Sequence, residues 1–310
     1  MLAIRHVNSK GMTTTARAII ALVFTIIVWG VAPAFVRSFS LTTGPADAMV
    51  IRMCFTALAA LPLFLFSGFH IDKSDYAMLL VVSVIGMFGY FLGSIFGYTY
   101  VPTAFGSMII AVQPLLIALI AAAIGADRLM PASIIGLIIS FAGTLFLFGG
   151  NMGSDMKFDE MVSGGVLLLC CDIAWAIYVV FSKPLIRKYG TFKITAWTLL
   201  LCAPPSLAFI SAGTLETALA LDGPAFFSLF FLSVIGTVVC VVTWNFAAPH
   251  LSSTAMGASL YLIPVLAVLS GWAMLHETIT ISTLIAGAII LAGVAVAEFG
   301  SAKNRRKPIQ

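Results

Sequence analysis

Apolar residues run through this chain in ten long stretches, at roughly 17–37, 46–68, 76–98, 102–124, 131–150, 161–182, 193–213, 225–248, 253–275 and 280–300. Short polar or Gly/Pro breaks such as LTTGPAD, HIDKSD and NMGSDMKFDE part them. Each stretch is near the ~20 residues that a helix needs to cross the hydrocarbon core of a bilayer. A spanning helix satisfies its own backbone hydrogen bonds, and the alternating pattern of a membrane barrel is absent. The pattern therefore predicts an all-α integral membrane protein with ten transmembrane helices, called helices 1–10 in chain order.

Composition agrees with that reading. The 310 residues are 61% hydrophobic and 9% charged, with a mean hydropathy of +1.11, whereas a soluble domain is roughly a quarter charged. The net charge of +4 is small, but its placement is informative. With the N-terminus in the cytoplasm, thirteen Lys and Arg fall on that side, and only Arg37, Arg52 and Lys157 fall towards the other. Cytoplasmic loops carry the excess of Lys and Arg, so both termini are expected in the cytoplasm: a segment 1–16 and a basic tail 301–310. The expected site is a bacterial inner membrane, multi-pass. Ala32-Pro33-Ala34 imitates a signal-peptidase site after the first apolar run, but that run has a counterpart in the second half that is no signal. The five cysteines lie within apolar stretches without zinc-like spacing. Neither a metal site nor a cofactor is expected, and nothing points to nucleic acid.

The chain repeats itself. SVIG at 83–86 returns at 233–236, and at the same offset of 150 Pro114 meets Pro264, Asp127 meets Glu277, Gly143 meets Gly293 and Gly150 meets Gly300. Earlier, at an offset of 146, Trp29 matches Trp175, Phe35 matches Phe181 and Arg37 matches Lys183. The expected units are a five-helix repeat over 17–150 and a second over 161–300. An odd number of helices makes the second copy enter the membrane from the opposite side. Inverted repeats around a central cavity are a signature of secondary transporters, because two like halves can open a midplane site to either side in turn.

Four passages carry a resemblance to a known family: WGVAPAFVR in helix 1, GPADAMVIR in helix 2, YTYVPTAFGSMIIAVQPLLIALIAAAIGADRL, and STAMGASLYLIPVLAVLSGWAMLHETITISTLIAGAIILAGV. They resemble the drug/metabolite transporter superfamily in its ten-helix, EamA-type branch of duplicated five-helix units, over about 17–300. Within it the chain most resembles the YddG-type bacterial exporters of aromatic amino acids, which also handle the dication methyl viologen. The resemblance implies a cavity lined mainly by helices 1, 3, 4, 6, 8 and 9. The chain departs from the family at Gly125-Ala126-Asp127 and Leu275-His276-Glu277, where Gly-Glu is usual.

Candidate residues follow from depth in the helices. Trp29, Tyr90, Trp175, Tyr178 and Tyr261 combine a ring with a polar edge in presumptive cavity helices; deep Tyr and Trp need hydrogen-bond partners, and rings suit aromatic or cationic ligands. Gln113 is read either as a contact for an amino-acid backbone or as an interhelical hydrogen bond. Tyr98, Tyr100, Trp244 and His250 are gate candidates, with an interfacial belt the competing reading for the first three and a solvated loop for His250. Pro114 and Pro264 each free a carbonyl of the preceding turn and are hinge candidates. Arg37 and Lys183 are expected to snorkel to opposite interfaces. Arg52 is read as an anchor for a carbonyl or carboxylate, with Asp47 one candidate partner.

Asp172 lies eleven residues into helix 6, beyond easy snorkelling. Three readings stay open: a carboxylate for a substrate ammonium, a proton-coupling site, or a protonated structural acid. No P-loop is present, so ATP does not drive the protein directly. An integral membrane enzyme is the alternative of another class, but His6, His70, His250 and His276 are scattered, and catalysis needs clustered groups. The sequence thus points to a secondary transporter, not an enzyme. It would export small metabolites, with aromatic amino acids first and other amino acids or organic cations as alternatives. Proton coupling and oligomeric state stay open.

Overall fold

A computed structural model of the chain describes residues 14–125, 131–150, 157–247, 250–251, 259–260 and 262–305. Among these the architecture is helical throughout: α1 (Thr14–Thr43), α2 (Pro45–Ser67), α3 (Lys73–Tyr100), α4 (Thr103–Ala123), α5 (Pro131–Gly150), α6 (Phe158–Tyr189), α7 (Thr191–Phe209), α8 (Gly223–Ala247), α9 (Leu262–Leu275) and α10 (Ile281–Arg305). Seven of them, α1 to α4 and α6 to α8, are long and apolar enough to cross a membrane; α5, α9 and α10 contain shorter apolar runs.

Local chemistry sets many of the ends. Pro45 begins α2 and Pro131 begins α5, where a missing N–H is harmless and the fixed φ favours the first turn. Asp222 caps α8, its carboxylate accepting from the Ala225 amide at 2.8 Å. Two helices are irregular inside: α3 widens into a π-helix over Val81–Phe88 and α8 does so over Phe231–Val239. Both segments contain SVIG.

The outer faces are greasy. On α5, Ile134, Ile138, Phe141 and Leu145 are each about half exposed, and on α1 so are Ile19, Ile20, Val23 and Ile27. Such helical stripes have no place against water over so many helices; lipid covers them. Within the bundle, glycines let backbones meet. A Cβ on Gly93 of α3 would stand 2.6 Å from the Leu167 carbonyl of α6, and one on Gly97 would stand 2.7 Å from the Leu168 side chain.

One contact joins α5 and α10 reciprocally. A Cβ on Gly143 of α5 would strike Ile290 of α10, and a Cβ on Gly293 of α10 would strike Ser140 of α5. Ser140 Oγ also donates to the Ile290 carbonyl at 3.1 Å. Ser140 and Ile290, like Gly143 and Gly293, are 150 positions apart. Residue i touching the mate of j while j touches the mate of i is the contact pattern of a two-fold axis. The offset-146 pair Trp29 and Trp175 also meet, ring centroids 5.6 Å apart and edge to face.

Candidate functional site

Between the helices lies a cavity of about 70 Å³, room for several waters. It is walled by Trp29 and Pro33 of α1, Arg52 of α2, Tyr90, Ser94 and Tyr98 of α3, Gln113 of α4, Trp175 of α6, Gly236 and Thr237 of α8, and Ile263 of α9. Those are the six helices implied by the family resemblance, with α2 added. An aromatic chain runs along it: Tyr90 lies 5.1 Å from Trp175, Trp175 touches Trp29, and Trp29 lies 5.3 Å from Trp244. The Trp29 indole donates to the Gly236 carbonyl at 2.9 Å, so a π-helical segment supplies the polar partner that a buried indole needs. Tyr178 packs behind Trp175 at 5.2 Å and is outside the lining.

Asp172 is fully buried. Gln113 Nε2 donates to its Oδ1 at 3.2 Å, and Oδ2 is buried without a hydrogen-bond partner. The acid therefore sits one side chain behind the cavity wall. Gln113 begins the second half of α4, which stops at Ile110 and resumes at Gln113 with Pro114 in its first turn. Pro264 lies in the first turn of α9. Tyr261 falls outside the described residues.

Next to the Tyr98 wall of the cavity lies a polar cluster that sequence reasoning missed. Arg37 does not snorkel. Its Nε pairs with Glu277 Oε1 at 2.9 Å, and its Nη1 donates to the Tyr98 and Val101 carbonyls at 2.6 Å each. Glu277 in turn accepts from the Thr103 amide at 2.8 Å and from its hydroxyl at 3.0 Å. A cation thus meets the open carbonyls at the end of α3, and an anion meets the open amides at the start of α4, each where the helix dipole favours it. His276 aims the carboxylate. It takes a left-handed φ of +53°, and the Glu277 amide returns to the Gly271 carbonyl at 3.3 Å, the wrap that usually uses glycine after a helix. His276 holds the turn without a glycine, because His tolerates this region better than most side chains.

The remaining candidates scatter. Tyr98 is buried in the cavity wall, not in an interfacial belt. Tyr100 is 42% exposed, and His250, also exposed, hydrogen-bonds through Nδ1 with the Phe246 carbonyl oxygen at 2.8 Å. Lys183 is exposed. Asp47 does not serve Arg52: its carboxylate accepts from Thr214 at 2.6 Å and Thr217 at 3.2 Å, on the short helix between α7 and α8. Arg52 itself is 5% exposed, its Nε and Nη1 have no partner, and its guanidinium lies 4.8 Å over the Phe91 ring. At the far end of the bundle Lys188 pairs with Asp72 at 2.6 Å and Asp75 at 2.7 Å. That ammonium, aided by Tyr189 and His70, holds the Asp72 carboxyl down at about 2. Among the described residues there is no cluster able to hold a metal ion.

The comparisons agree with this architecture. The EamA-like transporter family matches residues 16–149 and again 162–299. The aromatic amino acid exporter YddG of Ancylobacter novellus is 27% identical over 68% of this chain and 72% of its own length. A probable terminal-alkyne amino-acid exporter of Streptantibioticus cattleyicolor is 26% identical over 94% and 97%, and the uncharacterized transporter YoaV of Bacillus subtilis 24% identical over 80% and 86%. A protein of known crystal structure shares the fold with a TM-score of 0.64, at 22% identity, covering 96% of this chain and all of its own. With two matches that together take in most of its length, this chain belongs to the EamA-like transporter family of the drug/metabolite transporter superfamily and is a multi-pass membrane transporter, not an enzyme.

Proposed function

We propose that the protein exports small metabolites, aromatic amino acids first among them, from the cytoplasm across a bacterial inner membrane by alternating access. The observation that carries this reading is the ring-lined cavity, walled by Trp29, Tyr90 and Trp175, with the bonded cluster of Arg37, Glu277 and Thr103 beside it. An aromatic side chain gains both burial and ring-to-ring contact there, and the names of two relatives as amino-acid exporters point the same way.

In this reading all ten helices cross the membrane as an inverted five-plus-five duplication, over 17–150 and 161–300. The twice-matching family and the reciprocal α5–α10 contact support it. With the N-terminus cytoplasmic, Arg37 and Glu277 lie on the outer side, so the described state is shut outward. Substrate entering from the cytoplasm stacks on the rings, with Gln113 and Asp172 reading its ammonium group. The halves then rock, the outer cluster parts, and the breaks beside Pro114 and Pro264 take up the bending. Binding free energy only shifts the balance between the two states, by the difference in affinity that they offer.

The test is uptake of labelled tryptophan and phenylalanine, with threonine as comparison, into liposomes containing the purified protein, with and without a proton gradient. Saturable aromatic uptake, lost in Trp175→Ala with folding intact, is expected. Uptake of threonine alone, or of none of the three, sinks the reading. A gradient requirement makes Asp172 the leading coupling site; indifference to the gradient leaves it a binding or structural acid.

A further inference from the structure

A guanidinium buried inside a membrane bundle normally has an acid or several carbonyls around it, as Arg37 has. Arg52 has neither. Its Nε and Nη1 are buried without a partner, although the residue forms part of the cavity wall. Asp47, its neighbour on α2, is held by hydroxyls elsewhere, and Glu277 is taken by Arg37 and Thr103. Around the head are the Phe91 ring beneath it, Tyr90, and the neutral thiols of Cys171 and Cys202, with Tyr98 on the same cavity lining. The geometry therefore points to a partner that arrives with the cargo.

We propose that Arg52 is the carboxylate anchor of the cavity, so that the transported molecule is an aromatic α-amino carboxylate and not an aromatic amine or organic cation. The inference rests on the transport reading above and deepens it. A planar guanidinium matches a carboxylate with paired, charge-assisted hydrogen bonds. The ammonium of the same molecule faces the Gln113 side of the cavity, behind which Asp172 keeps Oδ2 unpartnered, and the ring lies among Trp29, Tyr90 and Trp175. A dication is turned away by the buried positive charge that draws the carboxylate in.

Two matched pairs test this by titration calorimetry on the full chain in detergent: L-phenylalanine against phenethylamine, and L-leucine against isoamylamine. Each pair differs by the carboxylate. Phenylalanine is expected to bind at least ~10-fold more tightly than phenethylamine; Arg52→Gln should weaken phenylalanine by roughly ten- to a hundredfold, leave phenethylamine unchanged or tighter, and Arg52→Lys should fall between. The proposal is overturned if the amine binds wild type as tightly as the amino acid, or if Arg52→Gln weakens both alike. Binding of leucine but not phenylalanine, lost in Arg52→Gln, upholds Arg52 and removes the aromatic reading. Binding of no compound overturns both. Should Arg52→Gln fail to fold, the wild-type pairs decide the carboxylate requirement and Arg52→Lys, weakening phenylalanine but not phenethylamine, decides the anchor.

Discussion

Arg37 and Arg52 stand on consecutive helices, both withdrawn from water, and their surroundings are opposite. Arg37 is tied to one carboxylate and two close carbonyls, and its pair in turn caps the next helix. Arg52 has an aromatic ring under it and free donors. The first is a cation whose field is used up within the fold; the second is held ready. A buried charge is thus not by itself a sign of stability or of function. Its list of partners tells the two apart.

The sharpest way to break this contrast is at Glu277. Glu277→Ala leaves Arg37 half-partnered and the start of α4 uncapped, and should destabilise the protein by about 3 kcal/mol, seen as a fall of several degrees in the melting temperature in detergent. A cysteine label placed at the Arg37 end should also react faster as that end loosens. Arg52→Met should move the opposite way, raising stability by about 1 kcal/mol or more, since an apolar chain of like length replaces an uncompensated charge, while phenylalanine uptake is lost. If Arg52→Met instead destabilises as much as Glu277→Ala, the contrast collapses and Arg52 is structural. Thr103→Val removes one hydroxyl donor from Glu277 and keeps the amide, so about 1 kcal/mol is expected. The smallest effect belongs to Asp72→Asn in the exposed Lys188 cluster, where exposed ion pairs are weak. The Asp72 carboxyl is lowered by folding, so its contribution is complete above pH ~4 and fades as the pH falls towards 2. Wild type and variant should differ slightly in melting temperature at pH 6 and converge as the pH falls through 2.

The helices could be read from the sequence because lipid demands long uninterrupted apolar runs; that the matched residues Trp29 and Trp175 touch could not be, because residues that correspond in sequence need not meet in space. Nor could the Arg37 cluster. Glu277 stands 240 positions after Arg37, and nothing local says that a turn at His276 will fold the carboxylate back over α4. The suggested Asp47 partner for Arg52 fails for a geometric reason: five residues along a helix turn about 140°, so the two side chains leave α2 on different faces. The depth of Arg52 was legible; its lack of a partner was not, because that depends on where every other acid goes. The π-helical widenings also left no mark beyond the repeated SVIG.

The face where Gly143 and Ser140 meet Ile290 and Gly293 has a consequence for substitution and assembly. Each position there packs against the residue 150 positions from its own neighbour, so a methyl group gained on one helix meets resistance on the other, and the two faces cannot change independently at this seam. The seam is also self-contained, needing no residue from the cavity. A polypeptide cut between α5 and α6 and made as two chains should therefore come back together in the bilayer through α5 and α10.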